Sequence, residues 1–331
     1  MSDLPPLGAL LESLHVVSIP MRVRFRGIDR REMALVEGPV GWGEFSPFLD
    51  YAPPEASRWL ASAVESAWVG WPAPLRDRVP VNATVPAVGA DDVPGVLARY
   101  DGCATAKIKV AESGQSLEDD VARVSAVRAW LGPDARIRID SNGGWSVTEA
   151  LTALGELAAY GLEYAEQPCA TVEELVELRN LLSRNGIDIP IAADESIRKA
   201  EDPLRVARLG AADIIVVKVA PLGGVAPAMD IAARCALPTV VSSAIDTSVG
   251  IAAGVALAAA LPALDHACGL GTVELLADDV ATHPLVPVDG AIAVGRPVVD
   301  PAALARLAAT PDREQWWRER VVACYDLLAE R

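Results

Sequence analysis

Lys107 and Lys109, two positions apart in TAKIKV, open a series of charged residues that end short apolar runs. Asp140 closes RIRID, Glu166 closes LEYAE, Asp194 closes IPIAAD and Lys218 closes DIIVVK, while Ser242 and Ser243 end PTVVSS. Steps of 24 to 31 residues separate Lys109, Asp140, Glu166, Asp194, Lys218 and Ser242. Side chains alternate along an extended run, so Lys107 and Lys109 share a face. Three carboxylates gathered in a partly dry site repel one another and need a cation to stay ionised. Oxygen donors without a nearby His or Cys suit Mg²⁺, with Mn²⁺ as a substitute, better than zinc. The competing reading makes the acids mere ion-pair partners of the lysines. A buried lysine beside another positive charge has its pKa lowered toward the range a general base needs. A carboxylate substrate held between Lys109 and Lys218, with a metal to take up charge, would therefore lose its α-proton readily. Taken singly, each lysine could equally be a snorkelling edge residue.

Such a series needs elements that repeat. From Val81 onward eight β-rich runs recur: VNATVPAV, TAKIKV, RIRIDSN, LEYAEQP, IPIAADES, DIIVVKV, PTVVSSAID and HACGLGT. Helical stretches separate most of them, the shortest interval being the first. Apolar strands alternating with helices predict a parallel sheet, and eight of them predict a closed barrel with its site at the C-terminal strand ends. Before the barrel, strands near Leu14–Arg26 and Arg31–Glu37, the segment GPVGWGEFSP and a helix over Pro54–Val69 predict an α+β cap. After it come a strand-like stretch, AIAVGRPVV, and a helix over Arg313–Ala329. The expectation is an α/β chain with a modified (β/α)7β TIM barrel in residues 81–288. Residues 1–80 form the cap, and residues 289–331 pack back on it.

Composition limits the function. The 331 residues carry a net charge of −16, which disfavours nucleic acid and anionic membranes as partners. Five scattered cysteines without CxxC spacing fit neither a disulfide framework nor a zinc site, and point to a reducing cytoplasm. No signal peptide is evident, and the Ala-rich stretch Gly250–Leu264 reads as a buried barrel helix, too short to span a membrane. The expected partner is a small carboxylate, and the pattern carries no information on oligomeric state. His15, His266 and His283 stand apart and read as structural, as do Trp316, Trp317 and Glu44. The arginine-rich segment Ser18–Gly27 is either a lid that attracts an anionic substrate or a solvated strand pair.

The motifs TAKIKV, RIDSN, AEQP, ADES, VVKVAPLGG and GWGEFSP, in this order and spacing, resemble the enolase superfamily across nearly the whole chain. The resemblance implies Asp140, Glu166 and Asp194 as Mg²⁺ ligands, with Lys109 and Lys218 on opposite faces of the substrate. The absence of a His on the seventh strand sets aside the mandelate racemase group, and KxK with a lone sixth-strand Lys resembles the muconate-lactonising group. Within it, VVSSAIDTSVG and HACGLGT look most like the members that dehydrate a succinyl-hydroxycyclohexadiene carboxylate to o-succinylbenzoate. That implies Lys109 as base and then acid, Lys107 as its tuning partner and Lys218 as electrostatic stabiliser. Ser242, Ser243 and Gly269 are candidates for holding the succinyl tail, while Arg138 and Asn142 either support the metal or carboxylate or serve as caps and ion pairs. N-succinylamino acid racemases and dipeptide epimerases share the same core. A Schiff-base aldolase using Lys218 leaves the three acids without a purpose, and a non-enzymatic scaffold leaves the whole catalytic set without one.

Overall fold

Apolar residues alternate along Leu14–Phe25 (β1) and Ile28–Gly38 (β2), which pair antiparallel and bury Val17, Ile19, Met33 and Leu35. The computed structural model describes residues 4–25, 27–199 and 202–330. Gly41–Phe45 (β3), from the GWGEF segment, adds a third antiparallel strand. The helix Pro53–Val64 starts with Pro in its first turn, continues as a wide turn through Glu65–Val69 and stops at Gly70, whose φ of 91° ends the run. Cap sheet and helix share one apolar core that includes Phe45, Trp59 and Trp317.

The barrel follows. Arg78–Pro80 (β4) leads into seven parallel strands in sequential order: Ala83–Val85 (β5), Thr105–Lys109 (β6), Arg136–Asp140 (β7), Leu162–Glu166 (β8), Ile191–Ala193 (β9), Ile214–Lys218 (β10) and Thr239–Ser242 (β11). Three of the intervening helices begin with reciprocal capping boxes, Ser116 with Asp119, Ser146 with Glu149 and Thr171 with Glu174. Two connections are thinner: a five-residue helix, Val93–Leu97, follows β5, and two four-residue helices, Glu195–Arg198 and Arg205–Arg208, follow β9.

The eighth run, HACGLGT, forms no ladder. It closes the ring through two isolated parallel bridges, Val81 with Cys268 and Ser242 with Gly269. Gly269 is required there, because a Cβ would stand 2.6 Å from Ser242 Oγ. The Ala-rich helix Ser248–Ala260 is buried everywhere except Gly250, and no helix among the described residues is long and apolar enough to cross a membrane. All five cysteines are buried and unpaired.

The C-terminal segment divides. Its short strand, Ala291–Ala293 (β12), pairs with β4 beside the barrel, whereas Ala308 makes an isolated antiparallel bridge to Val17 on β1 of the cap. The helix Pro311–Ala329 does reach the cap. Glu32 on β2 accepts from Trp317 Nε1 at 2.9 Å and from Arg313 Nη2 at 2.7 Å. Trp316 stacks edge-on against Trp317 and packs with Arg313 and Arg320.

Candidate active site

The strand register places the acids. Lys109, Asp140 and Glu166 are lateral partners across β6, β7 and β8, so one level at the C-terminal end of the barrel carries all three. Asp194 follows the end of β9 and Lys218 ends β10. Lys107 Nζ lies between Asp140 Oδ2 at 3.1 Å and both Glu166 oxygens at 2.9 and 3.0 Å. Lys109 Nζ donates to Asp140 Oδ2 and to Asn142 Oδ1, each at 2.5 Å. Lys218 Nζ donates to Asp194 Oδ2 at 2.6 Å, and Arg198 Nε donates to Asp194 Oδ1 at 3.0 Å. Among the described residues no three His, Cys, Asp or Glu side chains stand as a metal cage, and lysine ammonium groups contact Asp140, Glu166 and Asp194.

Burial and charge pull these groups apart. Burial alone disfavours the Lys107 ammonium, yet Glu166 and Asp140 outweigh it and raise its pKa. Lys109 is lowered, by burial first and by the Lys107 charge as well, against the pull of Asp140. Asp140 is buried but held well below the usual carboxylate range by Lys109 and Lys107. Asp194, equally buried, is held at about 2 by Lys218 and Arg198. Glu166 is pushed up to about 7 by burial and by its acidic neighbours Asp140 and Asp194.

Lys109 and Lys218 line one tight cavity of about 30 Å³ with Ser242, Ser243, Gly269 and Asn142. Ser243 Oγ donates to the Gly269 carbonyl at 2.7 Å and lies 2.8 Å from Thr272 Oγ1. From the cap, Phe25 and Phe48 close the same cavity, and Lys109 Nζ lies 5.5 Å from the centre of the Phe25 ring. Outside it, Arg24, Phe25 and Gly27 form the mouth together with Glu112 and Ser113. The arginine-rich cap segment thus reaches the site through Arg24 and Phe25, while Arg26 lies outside the described residues.

The family description "Enolase C-terminal domain-like" matches residues 95–298, and "Enolase N-terminal domain-like" matches residues 16–67. An o-succinylbenzoate synthase of Mycolicibacterium smegmatis is 63% identical over 99% of both chains. One of Mycobacterium tuberculosis is 61% identical over 98% of this chain and 97% of the relative. The chain belongs to the o-succinylbenzoate synthase family of the enolase superfamily. It is an enzyme of the lyase type. The fold agrees with the crystal structure of a muconate lactonizing enzyme from Pseudomonas fluorescens complexed with muconolactone, at a TM-score of 0.76, 21% identity and coverage of 90% of this chain and 98% of that one.

Enolase-superfamily enzymes typically use a divalent metal ion. The donors of this chain suit one. They are carboxylate oxygens without sulfur or imidazole, and one more oxygen is in reserve: Glu195 Oε2, following Asp194, is buried without a hydrogen-bond partner. The other oxygen of Glu195 accepts from Asn142 Nδ2 at 3.1 Å and from Arg198 Nη2 at 2.6 Å.

Sequence reasoning missed several residues here. Glu195 adjoins Asp194 in ADES, and that adjacency was its signal. Thr84 on β5 faces the same cavity with a buried Oγ that has no partner, and the polar Thr inside an apolar strand was its signal. Asn142 stands at the site with φ of 49°. Arg138 does not. It points toward the base of the barrel, where Nε donates to Glu163 Oε2 at 2.5 Å and Nη1 to the Ala267 carbonyl at 2.6 Å. Arg138 pairs with Lys107 and Tyr164, one level below the acids; Lys107 reaches up to them, whereas the ion pair with Glu163 holds Arg138 at the other end. His266 Nδ1 completes this lower network at 2.8 Å from Glu163 Oε1.

Proposed function

We propose that this chain is an o-succinylbenzoate synthase. Its reaction is the syn-dehydration of 2-succinyl-6-hydroxy-2,4-cyclohexadiene-1-carboxylate to o-succinylbenzoate, with Mg²⁺, on the route to menaquinone. The observation that carries it is the 63% identity to an o-succinylbenzoate synthase over 99% of both chains, in a chain that carries Lys107, Lys109, Lys218 and the three acids.

Asp140, Glu166 and Asp194 are the residues that would hold the ion, with Glu195 beside them. When bound, a divalent cation supplies Lewis-acid stabilisation to the negative charge that develops on the substrate carboxylate. Lys109, as the neutral amine, takes the ring proton next to that carboxylate, and the C–H electron pair moves into the carboxylate. The resulting ammonium of Lys109 then returns the proton to the departing hydroxyl on the same face. The C–O bond breaks, water leaves, and the electron pair completes the aromatic ring. Lys107 remains charged between Asp140 and Glu166, and its field favours the neutral form of Lys109. Lys218 stays an ammonium on the other wall and opposes the charge of the intermediate. Ser242, Ser243 and Gly269 line the part of the cavity left for the succinyl tail.

A second reading draws on the same geometry. Lysines paired with Asp140 and Asp194 on opposite walls also fit an N-succinylamino acid racemase or dipeptide epimerase, in which both move protons. The test is an assay of aromatic product from the hydroxycyclohexadiene precursor, run beside α-proton exchange of N-succinyl amino acids in deuterated water. Rapid exchange with no dehydration overturns the synthase reading.

A further inference from the structure

Strand β11 ends at the cavity residue Ser242, and the loop after it, which carries Ser243, has a strained backbone. Ile245 adopts φ of 64°, a left-handed conformation that a β-branched residue avoids unless its surroundings enforce it. The enforcing contacts come from the cap. Arg31 on β2 donates from Nε to the Ile245 carbonyl at 3.3 Å and from Nη2 to the Ala244 carbonyl at 3.3 Å. Glu44 on β3 accepts at Oε2 from Thr247 N at 3.0 Å, Thr247 Oγ1 at 2.5 Å and Gly250 N at 3.1 Å. It thereby caps the helix Ser248–Ala260.

The other oxygen of Glu44 has no such donor. Glu44 Oε1 is fully buried without a hydrogen-bond partner, and a second carboxylate converges on the same place. A Cβ on Gly250 would sit 3.1 Å from Glu44 Oε1 and 2.6 Å from Asp246 Cβ. Asp246 Oδ2 accepts from Ala244 N at 3.1 Å, and Oδ1 lies at 3.5 Å from Ser46 Oγ, the limit of a hydrogen bond. Two buried carboxylates that converge, each with an under-used oxygen, need either a counter-charge or a proton between them. The charged groups facing the pair are Arg31 from β2 and Lys218 from β10, and Lys218 is already paired with Asp194.

We propose that Glu44 and Asp246 share one proton and act as a positioning pair, clamping the strained 242–247 loop, and with it Ser242 and Ser243, to the cap. Burial first, and each other's charge as well in the case of Glu44, push both carboxyls upward, Glu44 to about 8. With a folded-state value above the ordinary 4.5, Glu44 adds stability in full at acid pH, and that contribution is lost as pH rises toward 8. Above that pH the pair carries two charges and the clamp loosens. Neither residue touches the reacting atoms.

The test compares Glu44→Gln, which copies the protonated form, with Glu44→Ala in the full chain. Thermal midpoints between pH 6 and 10 supply a readout independent of substrate. Where dehydration is measurable, kcat and KM are followed over the same range. The expected result is that Glu44→Gln retains folding and turnover within about threefold at pH 7 and shows a smaller fall in midpoint toward pH 8 than the parent chain, the remaining fall being that of Glu166. Glu44→Ala should raise KM at least tenfold with a smaller change in kcat. Asp246→Asn should likewise reduce the fall, since one acid then pairs with an amide. The proposal is overturned if Glu44→Gln is as damaged as Glu44→Ala, or if parent and Glu44→Gln midpoints fall in parallel. The midpoint arm fails or succeeds whatever the substrate proves to be.

Discussion

Lys218 Nζ donates to Asp194 Oδ2 at 2.6 Å, which fixes its charge against the wall of the cavity opposite β6. Lys109, by contrast, is lowered by burial and by Lys107, as a base should be. Lys109→Ala should cost on the order of a hundred- to ten-thousand-fold in kcat with the fold retained. Lys218→Ala should cost a comparable factor through lost charge stabilisation. In the racemase reading, each single variant should also abolish exchange from one enantiomer of an N-succinyl amino acid while sparing the other. Deuterium incorporation followed by NMR separates the cases.

Removal of divalent ions with EDTA should abolish turnover, and Mg²⁺ or Mn²⁺ should restore it. Asp194→Asn and Glu166→Gln should weaken Mg²⁺ binding by roughly ten- to a hundredfold in titration calorimetry, a figure typical of lost metal-site support. Glu195→Gln, which alters the unpartnered oxygen beside Asp194, should produce a smaller loss in the same measurement.

At the base of the barrel, Glu163 meets Arg138 and His266. Burial alone would raise its pKa, but the hydrogen bonds from His266 and Arg138 outweigh burial and hold it at about 2, below the ordinary 4.5. Stability from this group is therefore fully present above pH 4.5 and is lost as pH falls toward 2. Glu163→Gln should remove that acid-side slope. Glu163→Ala should cost about 3–5 kcal/mol at pH 7, because it leaves the Arg138 guanidinium buried and unpaired. Chemical denaturation at pH 7 and pH 4 checks both.

Arg24 stands at the mouth outside Phe25, on a chain whose net charge is −16. Arg24→Ala should raise KM for an anionic substrate roughly tenfold and leave kcat nearly unchanged, the scale of one hydrogen bond to a charged group. The effect should shrink at high salt, where exposed charges are screened.

The barrel could be read from the sequence because each strand end repeats one physical requirement, a polar residue where the rest of the strand is apolar. Lys109, Asp140, Glu166, Asp194 and Lys218 advertise themselves in this way. The lower level of the barrel was harder. Arg138 shares the alternation of Asp140, so its side of the strand was predictable but its depth was not, and only the partner Glu163 decides which end it serves. The closure at Cys268 and Gly269 reads as a strand in HACGLGT, whereas its glycines leave room for Ser242 and yield isolated bridges. The links made by Glu44 and Glu32 across the cap join residues some 200 to 285 positions apart, a separation that no local pattern encodes.

Trp317, fully buried against Phe45 and bonded to Glu32, belongs to a helix made long after its partners β2 and β3. The cap sheet must therefore wait through synthesis of the entire barrel with one apolar face uncovered. A nascent chain shorter than about residue 317 can build β6 to β11 but not a finished cap. On this account the cap core is completed only after the barrel strands β5 to β11 have been made.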